Sequence, residues 1–119
     1  MRSFKNILVW QKSKSLVAKI YILTSSFPDS ERFGLTSQIR RAAISIPSNI
    51  AEGCSRSSDK DFKRFLEIAI GSSFELETQL LIATDLNYLN ETYLGDILTE
   101  ITEIQKMLNS FIQKLKANG

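Results

Sequence analysis

Residues 33–53 read FGLTSQIRRAAISIPSNIAEG, and this stretch has the spacing of an α-helix with one well-defined apolar face. On a wheel of about 100° per residue, a single arc about 80° wide collects the predicted core positions Leu35, Ile39, Ala42, Ala43, Ile46 and Ile50. A smaller apolar strip lies outside this arc, where Ile44, Pro47 and Ala51 share a side with Arg40. The stretch therefore predicts a helix that packs in a bundle and carries a second contact strip.

A proline interrupts the hydrogen-bonding pattern of this helix. Pro47 cannot donate to the carbonyl of Ala43, and its ring crowds that carbonyl, so either a kink or a break is expected. The apolar stripe keeps its phase on both sides of the proline, which favours a kink. Thr36 is the predicted N-cap, although an extra turn beginning near Ser30 is also compatible, and Gly53 is the predicted C-cap.

Three further segments have helical spacing. The first runs from about Ile7 to Ser26 and ends before the turn at Pro28. The next begins at the capping box of Ser58 and Asp61, and its main apolar stripe is Phe62, Phe65, Leu66, Ala69, Ser72, Ser73, Leu76, Leu80 and Ala83. The last begins at the predicted cap Asn90. Its apolar residues alternate in steps of three and four, namely Leu94, Ile97, Ile101, Ile104, Leu108, Phe111 and Leu115.

This alternation is typical of helices that cross at about 20° in a bundle. Because the connections between the predicted helices are short, sequential neighbours should run antiparallel. The sequence therefore predicts an all-α protein in which residues 1–119 form one up-down-up-down four-helix bundle, with helix 2 kinked at Pro47.

Helix 3 is apolar on nearly every side. Beyond its main stripe, Ile70, Phe74 and Leu81 form a strip more than about 90° away, and Ile68, Ile82 and Leu86 line the opposite flank. A four-helix monomer cannot cover one of its helices on every side, so a further molecule should cover part of helix 3. The predicted oligomer interface consists of Arg40, Ile44, Pro47, Ala51, Ile70, Phe74 and Leu81.

The formal net charge of +2 is distributed unevenly along the chain. Residues 1–26 contain basic side chains and no acidic one, whereas acidic side chains outnumber basic ones in residues 58–119. One interpretation is that these are solvated helix faces that attract one another; the other is a basic surface that faces a polyanion. Under the second interpretation the candidate nucleic-acid-binding residues are Lys5, Lys12, Lys14, Lys19 and Arg41.

The residue types needed for common catalytic and metal sites are scarce. There is no histidine, and Cys54 is the only cysteine, so an intrachain disulfide is excluded and the usual zinc sites lack ligands. Cys54 lies near Arg56 but has no histidine or second cysteine to assist it, and no Gly-rich phosphate loop is present. We therefore expect a protein that is not an enzyme, with no catalytic residue, cofactor, metal or small-molecule substrate.

The same composition gives an expectation about location. The N-terminal segment is basic but lacks an uninterrupted apolar region followed by a small-residue cleavage site, and no apolar run is long enough to span a membrane. A single cysteine suits a reducing compartment. We therefore expect a cytoplasmic protein with no membrane partner.

Three segments carry a resemblance to a known family, namely VWQKSKSLVAKIY, FGLTSQIRRAAISIPSNIAEG and FLEIAIGSSFELETQL. Together they resemble the four-helix-bundle proteins encoded within intervening sequences of bacterial large-subunit ribosomal RNA genes. The most specific part is QIRRAAISIPSNIAEG, which combines an arginine pair, a proline and an Asn-x-x-Glu-Gly ending. That family in turn resembles the accessory proteins of diversity-generating retroelements, which form pentameric barrels and bind nucleic acid together with a reverse transcriptase.

The resemblance implies a homopentamer and leaves two functional hypotheses. In the first, an oligomer binds RNA or DNA through its basic surface, since lysine and arginine contacts to phosphates supply affinity without a sequence-specific motif. In the second, the protein is a structural adaptor that recruits a protein partner and does not bind nucleic acid. Arg40 and Arg41 should have different roles, because they lie about 100° apart on the helix. Arg40 lies on the predicted contact strip, and Arg41 lies on the exposed basic surface.

Overall fold

The computed structural model describes residues 2–118, and these residues form four α-helices and two short 3-10 helices with no β-strand among them. The α-helices are α1 (Leu8–Thr24), α2 (Leu35–Cys54), α3 (Asp59–Asp85) and α4 (Glu91–Asn118). The 3-10 helices, Phe4–Asn6 and Asp29–Glu31, precede α1 and α2 respectively. The predicted all-α four-helix bundle is confirmed.

Sequential helices run antiparallel around the bundle. The start of α1 lies near the end of α2, where the backbone N–H of Arg2 donates to the carbonyl of Cys54 at 3.3 Å. Within the described residues α1 contacts α2 and α4, and α3 contacts α2 and α4, so α1 is diagonal to α3 and α2 is diagonal to α4. The resulting bundle measures 45 × 23 × 20 Å.

The core is built from the apolar faces that the spacing predicts. In α2 the residues Ile39, Ala42, Ala43, Ile46 and Ile50 are all buried, and Leu35 at the start of the helix is half-buried. In α4 the same holds for Ile97, Ile101, Ile104, Leu108 and Leu115, while Leu94 and Phe111 are half-buried at the edge of the core. Bundle-type packing of the α4 heptad positions against the other helices is therefore confirmed.

Two of the predicted helix caps are present. The hydroxyl oxygen of Ser58 accepts a hydrogen bond from the backbone N–H of Asp61 at 3.1 Å, and α3 begins at the next residue, Asp59. Asn90 immediately precedes α4, and its side-chain oxygen accepts a hydrogen bond from the backbone N–H of Tyr93 in the first turn at 2.8 Å. Both caps satisfy backbone donors that the helix itself leaves unpaired.

The two predicted caps of α2 are wrong. Gly34 occupies the N-cap position, and the carboxylate of Glu31 accepts a hydrogen bond from the backbone N–H of Leu35 at 3.1 Å, so Thr36 falls inside the first turn and is buried. At the other end the helix continues through Gly53 to Cys54. Gly53 serves close packing, because a Cβ there would lie 2.9 Å from side-chain atoms of Phe62 and Phe65.

The helix α2 is continuous through Pro47, so the alternative of a break into two helices is wrong, and the kink remains a prediction.

A polar network lies beside the proline at the seam between α2 and α3. The Asn49 amide donates to the carbonyl and the hydroxyl of Ser45 at 2.8 and 2.9 Å, and the hydroxyls of Ser45 and Ser72 share a hydrogen bond at 2.8 Å. This network ties the middle of α2 to the middle of α3.

Leu108→Ala should destabilise the protein by about 2 to 5 kcal/mol, because the leucine side chain is fully buried and its removal leaves a cavity. Urea denaturation followed by circular dichroism measures the change in the free energy of unfolding. A loss below about 1 kcal/mol would contradict the assignment of this position to the core.

Gly53→Ala should destabilise the protein by about 1 to 3 kcal/mol, because the new methyl group would overlap two phenylalanine side chains. The matched control is Gly71→Ala within α3. An added Cβ there has no neighbouring atom of the described chain within 4 Å apart from the backbone of its own helix. That control should be neutral or stabilising by up to about 1 kcal/mol, since alanine favours the helix. Equal effects of the two substitutions in urea denaturation would contradict the close approach.

Candidate interaction surfaces

Arg40 lies at the seam between α1 and α2 and joins the two helices. Its Nε donates to the hydroxyl of Thr24 at 2.9 Å, and its Nη2 donates to the carbonyl of Tyr21 at 3.3 Å. The guanidinium carbon stands 4.5 Å from the centroid of the Tyr21 ring, a cation–π arrangement. The predicted interface residue Arg40 therefore has its partners within the same chain, and it places Tyr21 on the surface beside α2.

These contacts set the register of the two helices and bring apolar residues of α1 beside the predicted strip of α2. Moving towards the start of α1 and the end of α2, Val17 comes level with Ile44, and Trp10 with Ala51. Ile44 is 40 % exposed, and most of the other residues are half-buried. We call this surface the α1–α2 strip; it consists of Trp10, Val17, Tyr21, Ile44, Pro47 and Ala51.

A second apolar surface lies at the seam between α3 and α4. The side-chain amide of Gln105 donates to the carboxylate of Glu77 at 2.9 Å and sets the register there. Phe74 is 53 % exposed and Leu81 43 %. The half-buried Leu98 lies on the same side of α4 as Gln105, two turns nearer the start of the helix, and in this register it is within one turn of the level of Leu81. We call this surface the α3–α4 strip; it consists of Ile70, Phe74, Leu81 and Leu98.

The two strips lie on opposite sides of the bundle. Because α1 is diagonal to α3 and α2 is diagonal to α4, the seam between α1 and α2 faces away from the seam between α3 and α4. The structure thus divides the predicted interface residues into two surfaces that do not adjoin. A third group, Ile68, Ile82 and Leu86, is exposed on the flank of α3 that faces α2.

Two of the predicted nucleic-acid-binding lysines form ion pairs across the seam between α1 and α4. The ammonium of Lys12 lies 2.7 Å from a carboxylate oxygen of Glu103, and that of Lys19 lies 2.7 Å from Glu100. All four side chains retain substantial exposure to solvent. These pairs link the basic first helix to the acidic last helix, as the first interpretation of the charge distribution predicts.

The other predicted cations take no part in ion pairs of the described chain. The ammonium of Lys14 stands 5.9 Å from the centroid of the Trp10 ring, close to the α1–α2 strip. Lys5 is exposed on the 3-10 helix before α1, and Arg41 is exposed on α2. These three cations belong to three different elements of the described chain, whereas Lys12 and Lys19 are paired with acidic side chains of α4.

Cys54 is buried beside the N-terminal segment. Burial raises the pKa of its thiol above the ordinary value, and the positive charge of Arg2 opposes this only in part. A thiol of this kind is poorly nucleophilic at neutral pH. Among residues 2–118 no cluster of acidic and cysteine side chains has the arrangement of a metal site, and no helix there is long and apolar enough to cross a membrane.

Sequence reasoning identified the α2 half of the α1–α2 strip but missed the α1 half. The signal was present, because the apolar arc of helix 1 is wider than a bundle core needs and Trp10, Val17 and Tyr21 lie along one edge of it. Leu98 was also missed, since it falls outside the heptad positions of α4. Only the register between helices shows which strips these residues extend.

Comparison with known proteins agrees with this fold. A crystal structure of a protein of unknown function from the S23 ribosomal protein family of Bacteroides thetaiotaomicron is 30 % identical and superposes with a TM-score of 0.83. The match covers 89 % of this chain and 96 % of that chain. A search of curated protein sequences gives no match. The model of one family matches residues 5–110, and the chain belongs to that family, the 23S rRNA-intervening sequence proteins.

Proposed function

We propose that this protein is a non-enzymatic homo-oligomer that assembles through the α1–α2 strip of one copy and the α3–α4 strip of the next. The observation that carries the proposal is the exposure of apolar side chains such as Ile44 and Phe74 on opposite sides of one small bundle. Exposed apolar surface of this kind marks sites of protein contact. Two different surfaces on opposite sides favour head-to-tail contacts, and such contacts form a closed ring when the rotation between neighbours completes a circle.

The proposed ring contains five copies, the number implied by the resemblance to the retroelement accessory proteins. Arg40 supports the interface in this arrangement, because its hydrogen bonds to α1 hold Tyr21 in the α1–α2 strip. A cytoplasmic location fits the same proposal, since the protein keeps its one cysteine as a buried thiol.

Ile44→Glu and Phe74→Glu should each convert the oligomer into a monomer, because each places a charge in one of the two strips. Mixing the two variants should produce a one-to-one dimer and nothing larger, since each variant retains the surface that the other lacks. Analytical ultracentrifugation of the separate variants and of the mixture measures these masses.

Ile68→Glu is the matched control, because Ile68 is an exposed isoleucine of α3 outside both strips. This variant should keep the native mass, and circular dichroism should show that all three variants retain native helicity. A native protein that is already monomeric at micromolar concentration would contradict the proposal. Dimers formed by either single variant alone would show that one strip binds the same strip of a second molecule. That result would contradict the head-to-tail arrangement.

We further propose that the assembled ring binds RNA or another polyanion through basic side chains that recur once per copy. Lys5, Lys14 and Arg41 support this proposal, because none of them lies within 4 Å of a carboxylate of the described chain. Lys12 and Lys19 contribute less, since their charges are partly balanced by Glu103 and Glu100. The family's name refers to 23S ribosomal RNA, which makes RNA the first ligand to test.

Arg41→Ala should weaken RNA binding and lower the slope of log K against log salt by about one for each phosphate contact that is lost. Lys19→Ala is the matched control and should change the slope less, because its charge is already paired with Glu100. Fluorescence anisotropy of a labelled RNA at several salt concentrations measures both slopes.

The adaptor hypothesis is the alternative outcome of the same measurement. No binding of the wild-type protein to RNA or DNA at low salt would overturn the polyanion proposal and favour recruitment of a protein partner. Arg40→Ala separates the two roles of the arginine pair, since it should weaken assembly while leaving the salt slope of the remaining oligomer unchanged.

A further inference from the structure

A groove of about 810 Å³ opens between the end of α1 and the start of α4. The turn between α3 and α4 closes one end, where Asn87 has a positive φ of 63° and reverses the chain. The helices α1 and α4 pack against each other less extensively than any two sequential helices do, which leaves room between them. The groove is part of the isolated bundle and lies outside the two strips.

Large apolar side chains line this groove and remain in contact with solvent. Ile22 is 75 % exposed and Tyr93 is 59 % exposed, and these two residues lie on the α1 and α4 sides. Leu23 and Ile97 are more buried and contribute to the floor. This arrangement of an apolar floor between two helices with apolar side chains at the rim is what a third, amphipathic helix recognises.

The charges at the groove favour a basic occupant. Three charged side chains line it, Lys19, Asp96 and Glu100, and Lys19 is paired with Glu100 at 2.7 Å. Asp96 is exposed, and no lysine or arginine of residues 2–118 lies within 4 Å of its carboxylate. The remaining polar lining consists of neutral side chains, so the groove has one uncompensated negative charge.

From the apolar lining and the uncompensated carboxylate, we infer that the α1–α4 groove binds an amphipathic helix of a protein partner. This helix has a lysine or arginine beside its apolar face. The apolar face of the partner helix covers Ile22, Leu23 and Tyr93, and its cation pairs with Asp96. This contact is independent of ring assembly, because none of these residues belongs to the α1–α2 strip or the α3–α4 strip. The protein can therefore hold a basic helical segment while its two other sides contact further copies.

The test uses a fluorescein-labelled synthetic helix of about 18 residues, with leucines at positions i, i+3, i+4 and i+7 and lysines flanking them. Anisotropy with the full-length native protein measures its affinity, and the δ1-methyl NMR signals of isoleucines locate the contact. Binding should shift the signals of Ile22 and Ile97 and leave that of Ile68 unchanged. A peptide with glutamates in place of the lysines should bind at least about 10-fold more weakly.

Ile22→Asp should weaken binding of the lysine peptide at least about 10-fold, and Asp96→Asn at least about 3-fold. The matched controls are Ile68→Asp and Asp85→Asn, an exposed isoleucine and an exposed aspartate that do not line the groove, and both should bind as the native protein does. Circular dichroism confirms that every variant is folded, which is expected because each substituted side chain is exposed.

Four outcomes would overturn the inference. The first is that the lysine peptide does not bind the native protein, and the second is that it binds without shifting Ile22 and Ile97. The third is equal affinity for the lysine and glutamate peptides, which would remove the role of Asp96. The fourth is a fall in oligomeric mass caused by Ile22→Asp, which would show that a second copy of this chain occupies the groove.

Discussion

The close approach of α2 and α3 is the constraint on which the other helix positions depend. A buried glycine, Gly53, faces two phenylalanine side chains, and the hydroxyls of Ser45 and Ser72 share a hydrogen bond across the same seam. Small side chains such as Ala42 and Ala69 are buried in these helices, and this pair makes the most extensive contact in the bundle. α1 packs against α2, and α4 packs against α3, so the two apolar strips at these seams lie on opposite sides of the α2–α3 pair.

Features that depend on local sequence could be predicted. The core positions of α4 follow from a strict heptad alternation, and the caps at Ser58 and Asn90 follow from a polar side chain at the right distance before a helix. The caps of α2 failed because tertiary contacts override local preference there. The carboxylate of Glu31, from a preceding 3-10 helix, accepts a hydrogen bond from the N–H of Leu35, so the helix begins before Thr36; Gly53 packs against α3.

Only the α2 residues of one strip and the α3 residues of the other were predicted, since each strip is formed by residues distant in the sequence. Helical periodicity shows which residues of one helix share a side, but it contains no information about the register between two helices. The pairing of Lys12 with Glu103 joins residues at opposite ends of the chain, so the local charge count overestimates the free positive charge of α1. The α1–α4 groove was not predicted for the same reason, because its lining comes from α1, α4 and the turn before α4.

The sparse packing between α1 and α4 has a consequence for the motions of the bundle. Exposed ion pairs such as Lys19 with Glu100 contribute little to stability, and they are weakened further by dissolved salt. Separation of α1 from α4 therefore costs less free energy than separation of α2 from α3, and local opening should begin at this seam. The last turns of α1, which carry Ile22, should then change their distance from α4 more readily than α2 and α3 separate, so we expect the width of the groove to vary while the α2–α3 core stays intact.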